Sequence, residues 1–565
     1  MLDLVLKNGQ VIDGTGNPWF KADVGIQEGK IAAVGDLAGA KAMRVVDVAG
    51  LVVTPGFMDP HSHTDCSAMK NSEALTSIQQ GITTEFVGNC GMSPYFPITD
   101  RNRETAEMEL ADLFEVDLGE MTVDWMDLAG FRRQLEKKGV GTNLACFVGH
   151  NNVRSAVMGE EGEGGERNDP SAAELTEMKR LVAQAMAQGA WGMTTGLVYK
   201  PGRNAKTEEI VELARVVAEA GGSYMSHIRG YRSLDGLEEF LEIVEKAPVR
   251  GVLSHYSARC HTEKKQLVGP MPEELLGLVD KSRAKGSEIY MDVLPWGGYS
   301  SSSMIHLLLE TKDKFDEGGK LLSWDRFMEM LRQPETRKAI EERARRRAER
   351  TTKLGEEAEK VEREFGDMFI VNRSIRFPEY VGHSLAEIAK MREVDLITAA
   401  VDIFLEDEGN TFWGSWQCEA DLKQIIRHPA AMVSTDGSAL EKDPPMVSLR
   451  NVLYAPAVRL YGSFAKVLGS YVREDRLFPL EEAIRKMTSL PARAIGLKNR
   501  GLIRPGMWAD VCVFDPNRIA HMATYFEPRQ HCVGIEYVLV NGEFALKEGQ
   551  LTGARAGKVL RHEVV

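Results

Sequence analysis

From about residue 57 onward, short apolar runs alternate with longer helix-like stretches, and this rhythm restricts the fold more than any other feature of the chain. The runs ITTEFVG, TNLACFVGH, GSYMSHI, GVLSHYS, SEIYMDVL and AAMVSTD are separated by segments such as 171–188 and 207–220. Strand and helix in this alternation predict βαβ units and a parallel sheet. The 171–188 segment carries its own limits. It opens on Asp169-Pro170-Ser171 with Glu174 three places on, a capping-box pattern, and it stops before Gly189. Leu175, Met178, Leu181, Val182 and Ala185 keep the 3-4 spacing of an amphipathic helix.

The two ends of the chain have a different texture. Residues 4–13 (LVLKNGQVID) and 537–546 (YVLVNGEFAL) both place an Asn-Gly pair between alternating apolar residues, which predicts a hairpin in each. From about residue 480 the text returns to strands, in PGMWADVCVFD and then GIEYVLVNGE. Between 311 and 366 the rhythm breaks. The run KAIEERARRRAERTTKLGEEAEKVERE has few apolar anchors and dense acid-base pairing at i to i+4, so it reads as a helical insertion with a solvated face. Its Arg cluster at 343–350 is compensated by flanking Glu, which weighs against a nucleic-acid contact.

Charge narrows the function. The chain has 83 acidic and 69 basic residues, a net −14, so it repels phosphate backbones and anionic lipid and points to a small-molecule enzyme rather than a nucleic-acid or membrane partner. The start, MLDLVLKNGQVIDG, lacks the basic region and apolar core of a secretory signal, and no stretch approaches about 18 uninterrupted apolar residues. Seven cysteines (Cys66, Cys90, Cys146, Cys260, Cys418, Cys512 and Cys532) form no CxxC pair. A cytoplasmic, reduced chain is expected, with each thiol either a small core residue or a functional one.

The ends of the apolar runs carry the chemistry. In PGFMDPHSHTD a strand delivers His61 and His63 two residues apart, which puts both imidazoles on one face. Such a pair chelates a cation or simply forms hydrogen bonds at a strand end, and its company decides. Cys90 follows ITTEFVG between Gly88 and Gly91, Ser226-His227 closes GGSYMSHI, Ser254-His255 closes VRGVLSHYS, and Asp436-Gly437 follows AAMVST. Five strand ends thus bear His, Cys, His, His and Asp, at the rim where a β/α barrel places catalytic groups. Imidazole with thiolate favours zinc. A carboxylate such as Asp436 beside a bound cation can ligate and also accept a proton from water.

The sequence resembles the amidohydrolase superfamily, and within it the D-aminoacylases, or N-acyl-D-amino-acid deacylases. The resemblance spans nearly the whole chain, through LVLKNGQVIDGTG, PGFMDPHSHTD, GNCG, GHNNVR, GAWGMTTGLVYKPG, SHIR, LSHYS, DVLPW, HPAAMVSTDGS, YGSFAKVLGSYVRE, EEAIRKMTSLPARAIGL and RGLIRPGMWADVCVFDP. It implies an α/β fold: a TIM-like (β/α)8 metallo-dependent hydrolase barrel over 57–479, a small β-sandwich from 1–56 plus 480–565, and the insertion at 311–366. It implies that Cys90, His227 and His255 hold a tightly bound Zn2+, and that His61, His63, Asp436 and a bridging Cys90 form a second site. The use of Cys90 separates this group from hydantoinase-like relatives, which bridge their metals with a carboxylated lysine. Lys200, in a loop after a strand, is not expected to take that part.

The implied reaction is zinc-dependent hydrolysis of the amide of N-acyl-D-amino acids, giving a carboxylate and a free D-amino acid, with Asp436 moving the proton. Another linear or cyclic amide, hydantoinase-like or peptide-like, is the alternative, and a non-catalytic barrel scaffold the third reading. Tyr199 and Arg229 are the implied donors to the substrate carboxylate, against a packing tyrosine at the barrel mouth for the first and a salt bridge to the barrel rim for the second, and Ser300 to Ser303 fall where relatives present a hydroxyl or form a plain loop. The chain departs from the family pattern at three points. Ser257 stands where many members have a lysine, Gly230-Tyr231 where many have an acid, and Ala457-Val458-Arg459 where a His-Pro is usual.

Overall fold

The computed structural model describes residues 1–563 except 94–95, 115–116, 118–122, 160–167, 231–232, 258–259, 262–266, 269, 298–301, 304–319, 321, 343–369, 415–416, 441–456 and 526. The chain opens with β1 (Leu2–Val11), β2 (Phe20–Gln27), β3 (Lys30–Gly35), β4 (Ala42–Asp47) and β5 (Val52–Pro55). β1 pairs antiparallel with β2 on one side, while β4 and β5 lie parallel to its two halves on the other. No hairpin forms within residues 4–13. Asn8, at φ 65°, sits inside β1, where the register with β2 slips between Leu6 and Gly9, so the Asn-Gly pair makes a bulge. The Asn8 N–H donates to Asp23 at 2.8 Å and its side-chain amide to Asp47 at 3.0 Å, holding the extra residue in place.

A barrel follows. Its positions are β6 (Phe57–Asp59), β7 (Ile82–Val87), β8 with β9 (Asn143–Cys146 and Val148–Gly149), β10 (Gly192–Gly196), β11 (Ser223–His227), β12 (Arg250–Leu253), β13 (Ile289–Val293) and β14 (Ala431–Val433). Every neighbouring pair is parallel, and a bridge between Ser62 and Gly437 closes the ring. This is a TIM-like barrel of eight positions. Met58, Phe86, Phe147, Met225, Val252 and Met432, from six of those positions, meet in one buried cluster that fills its interior. Helices coat the outside, among them α1 (His150–Met158), α2 (Ala172–Ala187) and α3 (Thr207–Glu219). The predicted box at the start of α2 is present: Ser171 Oγ accepts from the Glu174 N–H, and the Glu174 carboxylate accepts the Ser171 N–H at 2.7 Å.

Between β13 and β14 the chain builds a second buried cluster from residues 322–404, with Phe327, Leu331, Ile388 and Phe404 among its members. This core reaches well past residue 366. The Arg cluster at 343–350 lies outside the described residues. After α4 (Val458–Lys466), α5 (Leu480–Met487) and α6 (Ser489–Ile495) the chain returns to the first sheet. There β15 (Val511–Phe514) pairs antiparallel with β5, then β16 (Ile535–Val540), β17 (Glu543–Lys547) and β18 (Gln550–Leu551) extend the sheet to nine strands drawn from both chain ends. Here Asn541 and Gly542, both at positive φ, do turn β16 into β17 as a hairpin. Finally β19 (Val559–Leu560) leaves this sheet and lies parallel to β8 inside the barrel wall.

Candidate metal centre

The rim of the barrel gathers six chemical residues from five strand ends. Cys90 Sγ stands 3.4 Å from His61 Nε2, 3.7 Å from His227 Nδ1 and 3.5 Å from His255 Nε2. Asp436 Oδ1 lies 3.4 Å from His63 Nε2 and 3.6 Å from His61 Nε2. Two overlapping groups result, His61 with His63, Cys90 and Asp436, and Cys90 with His227 and His255, the ligand atoms of each lying within 4.8 Å of one another. Cys90 belongs to both.

The backbone is bent to achieve this. Cys90, His255 and Asp436 take φ of 55°, 35° and 47°, a left-handed region that costs a residue with a Cβ about 1–2 kcal/mol. Strain of this kind persists where the surroundings over-determine it. The glycines beside Cys90 are required by close approach: a Cβ on Gly91 would come 2.6 Å from the Gly196 nitrogen, and one on Gly88 would collide with the Phe147 carbonyl.

Buried acidic side chains hold the cluster in place. Asp292, on β13, lies 3.3 Å from His61 Nδ1 and accepts the His255 N–H and the Ser434 hydroxyl, each at 2.8 Å. Asp59 accepts the N–H groups of His61 and Thr435, each at 3.1 Å, tying the end of β6 to the end of β14. Glu85 accepts hydroxyls from Ser62, Thr64, Ser77 and Thr142 at 2.6–3.1 Å. On the far side of Asp436, buried Arg459 donates from Nε to the Asp436 carbonyl at 2.7 Å.

The electrostatics suit a cation. Burial alone would push the Cys90 thiol up, but the charge of His61 and hydrogen bonds from His227, His255 and His61 hold it well below the ordinary thiol range. Burial likewise works against ionised Asp436, and the hydrogen bond to His63 with the charges of Arg459, His255 and His61 more than reverses it. His63 is pulled down by burial and pushed up further by Asp436 and Cys90, to about 9. The metal-free cluster thus pairs a thiolate and a carboxylate with protonated imidazole. His63 Nδ1 is buried with no hydrogen-bond partner among the described residues. Imidazole nitrogens around a thiolate form a donor set that fits zinc.

The family model for the amidohydrolase family matches residues 44–276 and 423–545. The chain belongs to the amidohydrolase family. It is 33% identical over 564 residues to an N-acyl-D-glutamate deacylase of Alcaligenes xylosoxydans xylosoxydans, covering 100% of this chain and 97% of the relative. A D-aminoacylase of the same organism is 32% identical over 560 residues, covering 99% and 97%. Among solved structures, the N-acyl-D-glutamate deacylase of Bordetella bronchiseptica, complexed with zinc and a phosphonate inhibitor, superposes with a TM-score of 0.73 at 32% identity over 99% of both chains. A D-hydantoinase, at 15% identity and a TM-score of 0.53, shares the fold.

The remaining predicted residues of this amidohydrolase divide. Tyr199 is 41% exposed, and its ring centre lies 5.0 Å from that of His227, at the mouth of the cluster. Ser257 is buried two residues beyond His255. Arg229 is engaged at the rim, the salt-bridge alternative. Its Nε meets Glu239 at 3.0 Å, and its terminal nitrogens donate to the Arg203 and Ala205 carbonyls at 2.6 and 2.7 Å, so it ties the rim loop down. Lys200 is exposed, and the thiol of Cys90 holds the shared position in the cluster. Ser302–Ser303 pair with Phe412 and Trp413, while Ser300 and Ser301 lie outside the described residues. Sequence reading missed Asp292 and gave Arg459 no role. The only signal for Asp292 was a carboxylate within an apolar run, DVLPW.

Proposed function

We propose that this amidohydrolase cleaves the amide bond of N-acyl-D-amino acids, releasing a carboxylate and a free D-amino acid, with zinc as its cofactor. The observation that carries the reading is Cys90, central to three imidazoles in a chain alike over its full length to deacylases of N-acyl-D-amino acids. Cys90, His227 and His255 would hold one ion, and His61, His63 and Asp436 with Cys90 a second. Zinc bound there supplies a Lewis acid for the acyl carbonyl and acidifies water.

The protein's own groups do the rest. Asp436, kept ionised by His63 and Arg459, takes the proton of the attacking water and delivers it to the leaving nitrogen. Asp436 is fixed at both ends, by His63 at its carboxylate and by Arg459 at its backbone carbonyl. Tyr199, beside His227, and the hydroxyl of Ser257 are the donors assigned to the substrate's α-carboxylate. Residues 57–479 serve as the catalytic barrel, 1–56 with 480–565 as the sandwich, and the charged 311–366 run as part of the insertion. A reducing cytoplasm, where Cys90 stays a thiolate, is the compartment that suits this chemistry.

A panel of N-acyl-D- and N-acyl-L-amino acids together with cyclic amides, assayed with zinc content measured on the same sample, tests the proposal. Turnover of D members by zinc-loaded protein is expected. Turnover confined to L members or to cyclic amides would overturn it.

A further inference from the structure

The N-terminal ends of β10, β11 and β12 face away from the metal cluster, and there Trp191, Gly221 and Arg250 open onto a cavity of about 500 Å³. Residues 496–500, after α6, and 558–563, around β19, complete its walls. Its lining carries Arg250, Lys498, Arg500, Lys558 and Arg561, with Glu563 as its one acid. Of these cations only Arg500 meets a carboxylate among the described residues, that of Asp510. Arg250 spends its guanidinium on the Gly221 carbonyl and, at 3.3 Å, the Ser223 hydroxyl. Lys498 and Arg561 are exposed and have no acidic partner among the described residues. Half-buried His562, in the same wall, is held below its ordinary range by burial and then by the charges of Arg250 and Lys498.

Like charges gathered in one recess repel one another, and the local dielectric of a cleft strengthens that repulsion. In a chain with 83 acidic and 69 basic residues, such a concentration of uncompensated cations calls for an anion from outside. The volume falls within the roughly 300–1,000 Å³ of small-ligand sites, and arginine and lysine heads are the groups that bind phosphate oxygens. The ring of Trp508 offers little room for a base, since the heads of Lys558, Arg500 and Lys30 already stand 4.1, 5.1 and 5.4 Å from its centre. We propose that this cavity binds a compact oligophosphate, recognised through its phosphates and at a distance from the metal cluster.

Calorimetric titration of the zinc-loaded full chain with inorganic triphosphate tests this, beside a Lys498→Glu, Arg561→Glu double variant. Both proteins carry the same metal cluster, so any binding there is common to them, and zinc content is checked after each titration. The expected result is saturable binding to the natural chain that the double variant weakens by roughly tenfold or more, that added salt weakens, and that Glu563→Gln strengthens. ATP should bind no more tightly than triphosphate. Hydrolytic turnover without triphosphate should be the same in all variants. Equal binding by natural and double-variant chains, or no binding by the natural chain, would overturn the proposal. If the double variant lacks a cooperative thermal transition, Lys498→Gln alone carries the same comparison.

Discussion

The carboxylate of Asp292 joins two histidines of the candidate metal cluster from separate barrel strands: one oxygen stands 3.3 Å from His61 Nδ1 and the other accepts the His255 N–H at 2.8 Å. This contact fixes the His61 ring so that Nε2 faces Cys90. Partners of this kind orient a ligand and raise its basicity, and losing one typically costs 10- to 100-fold in metal affinity. Asp292→Asn should therefore weaken zinc binding by about that factor while leaving the fold intact. Competition with a chromophoric chelator measures it, and an unchanged affinity would show that His61 needs no such support.

Metal entry should release protons. His63 is protonated below about 9 in the metal-free protein, so a cation must displace that proton to bind. Zinc affinity should accordingly fall as pH drops below about 9. Titrations in buffers of different ionisation enthalpy would count the protons released near pH 7.5. A count of zero contradicts the charge pattern described for the cluster.

The left-handed backbone at Cys90 makes a prediction about stability alone. Cys90→Gly and Cys90→Ala both remove the thiol, but only glycine adopts a φ of 55° without cost. In the metal-free state the Gly variant should be the more stable by about 1 kcal/mol. Urea denaturation of the pair provides the comparison, and equal midpoints would argue that residue 90 is not strained.

A second buried ion pair lies away from the cluster. Arg154, fully buried on α1, donates to Glu209 of α3 and to the Asn168 carbonyl, and His150 Nε2 meets the same Glu209 at 2.8 Å. Glu209→Ala would leave a buried guanidinium uncompensated, a loss of about 3–5 kcal/mol. Burial pushes the Glu209 carboxyl up, but the hydrogen bond to His150 and the charges of His150 and Arg154 hold it below its ordinary 4.5. Its folded value is the lower one, so its stabilisation is complete above about 4.5 and disappears as pH falls through that lower value. Thermal melts from pH 7 to 3 should show the natural chain losing more stability than Glu209→Gln. Parallel curves would refute the linkage.

Much of the barrel was legible because its strands are buried on both faces and stay apolar until the rim, where His227, His255 and Asp436 mark the change. The helix at Ala172–Ala187 was legible because its capping box is local. Contacts across long separations were not. Asp292 meets a histidine 231 positions away, and Arg459 reaches the carbonyl of a residue 23 positions before it. Asn8-Gly9 and Asn541-Gly542 share one dipeptide and differ in outcome: β1 has strands on both sides, so its extra residue bulges where the second pair turns. Arg229 shows another limit: from the sequence a cation two residues past a site histidine could face substrate or bridge the rim, and the contacts with Glu239 and two carbonyls that favour the second come from distant positions.

The strand Val559–Leu560 completes a barrel position laid down 415 residues earlier, at Leu144–Ala145. At the usual 5–20 residues per second, a ribosome needs roughly 20 to 80 s to cover that distance. For all that time the lower edge of β8 waits without its partner, an unpaired edge of the sort that invites aggregation. Any cover for that edge on the nascent chain has to last through this interval. Slower translation near the 3′ end of its message would lengthen the exposure.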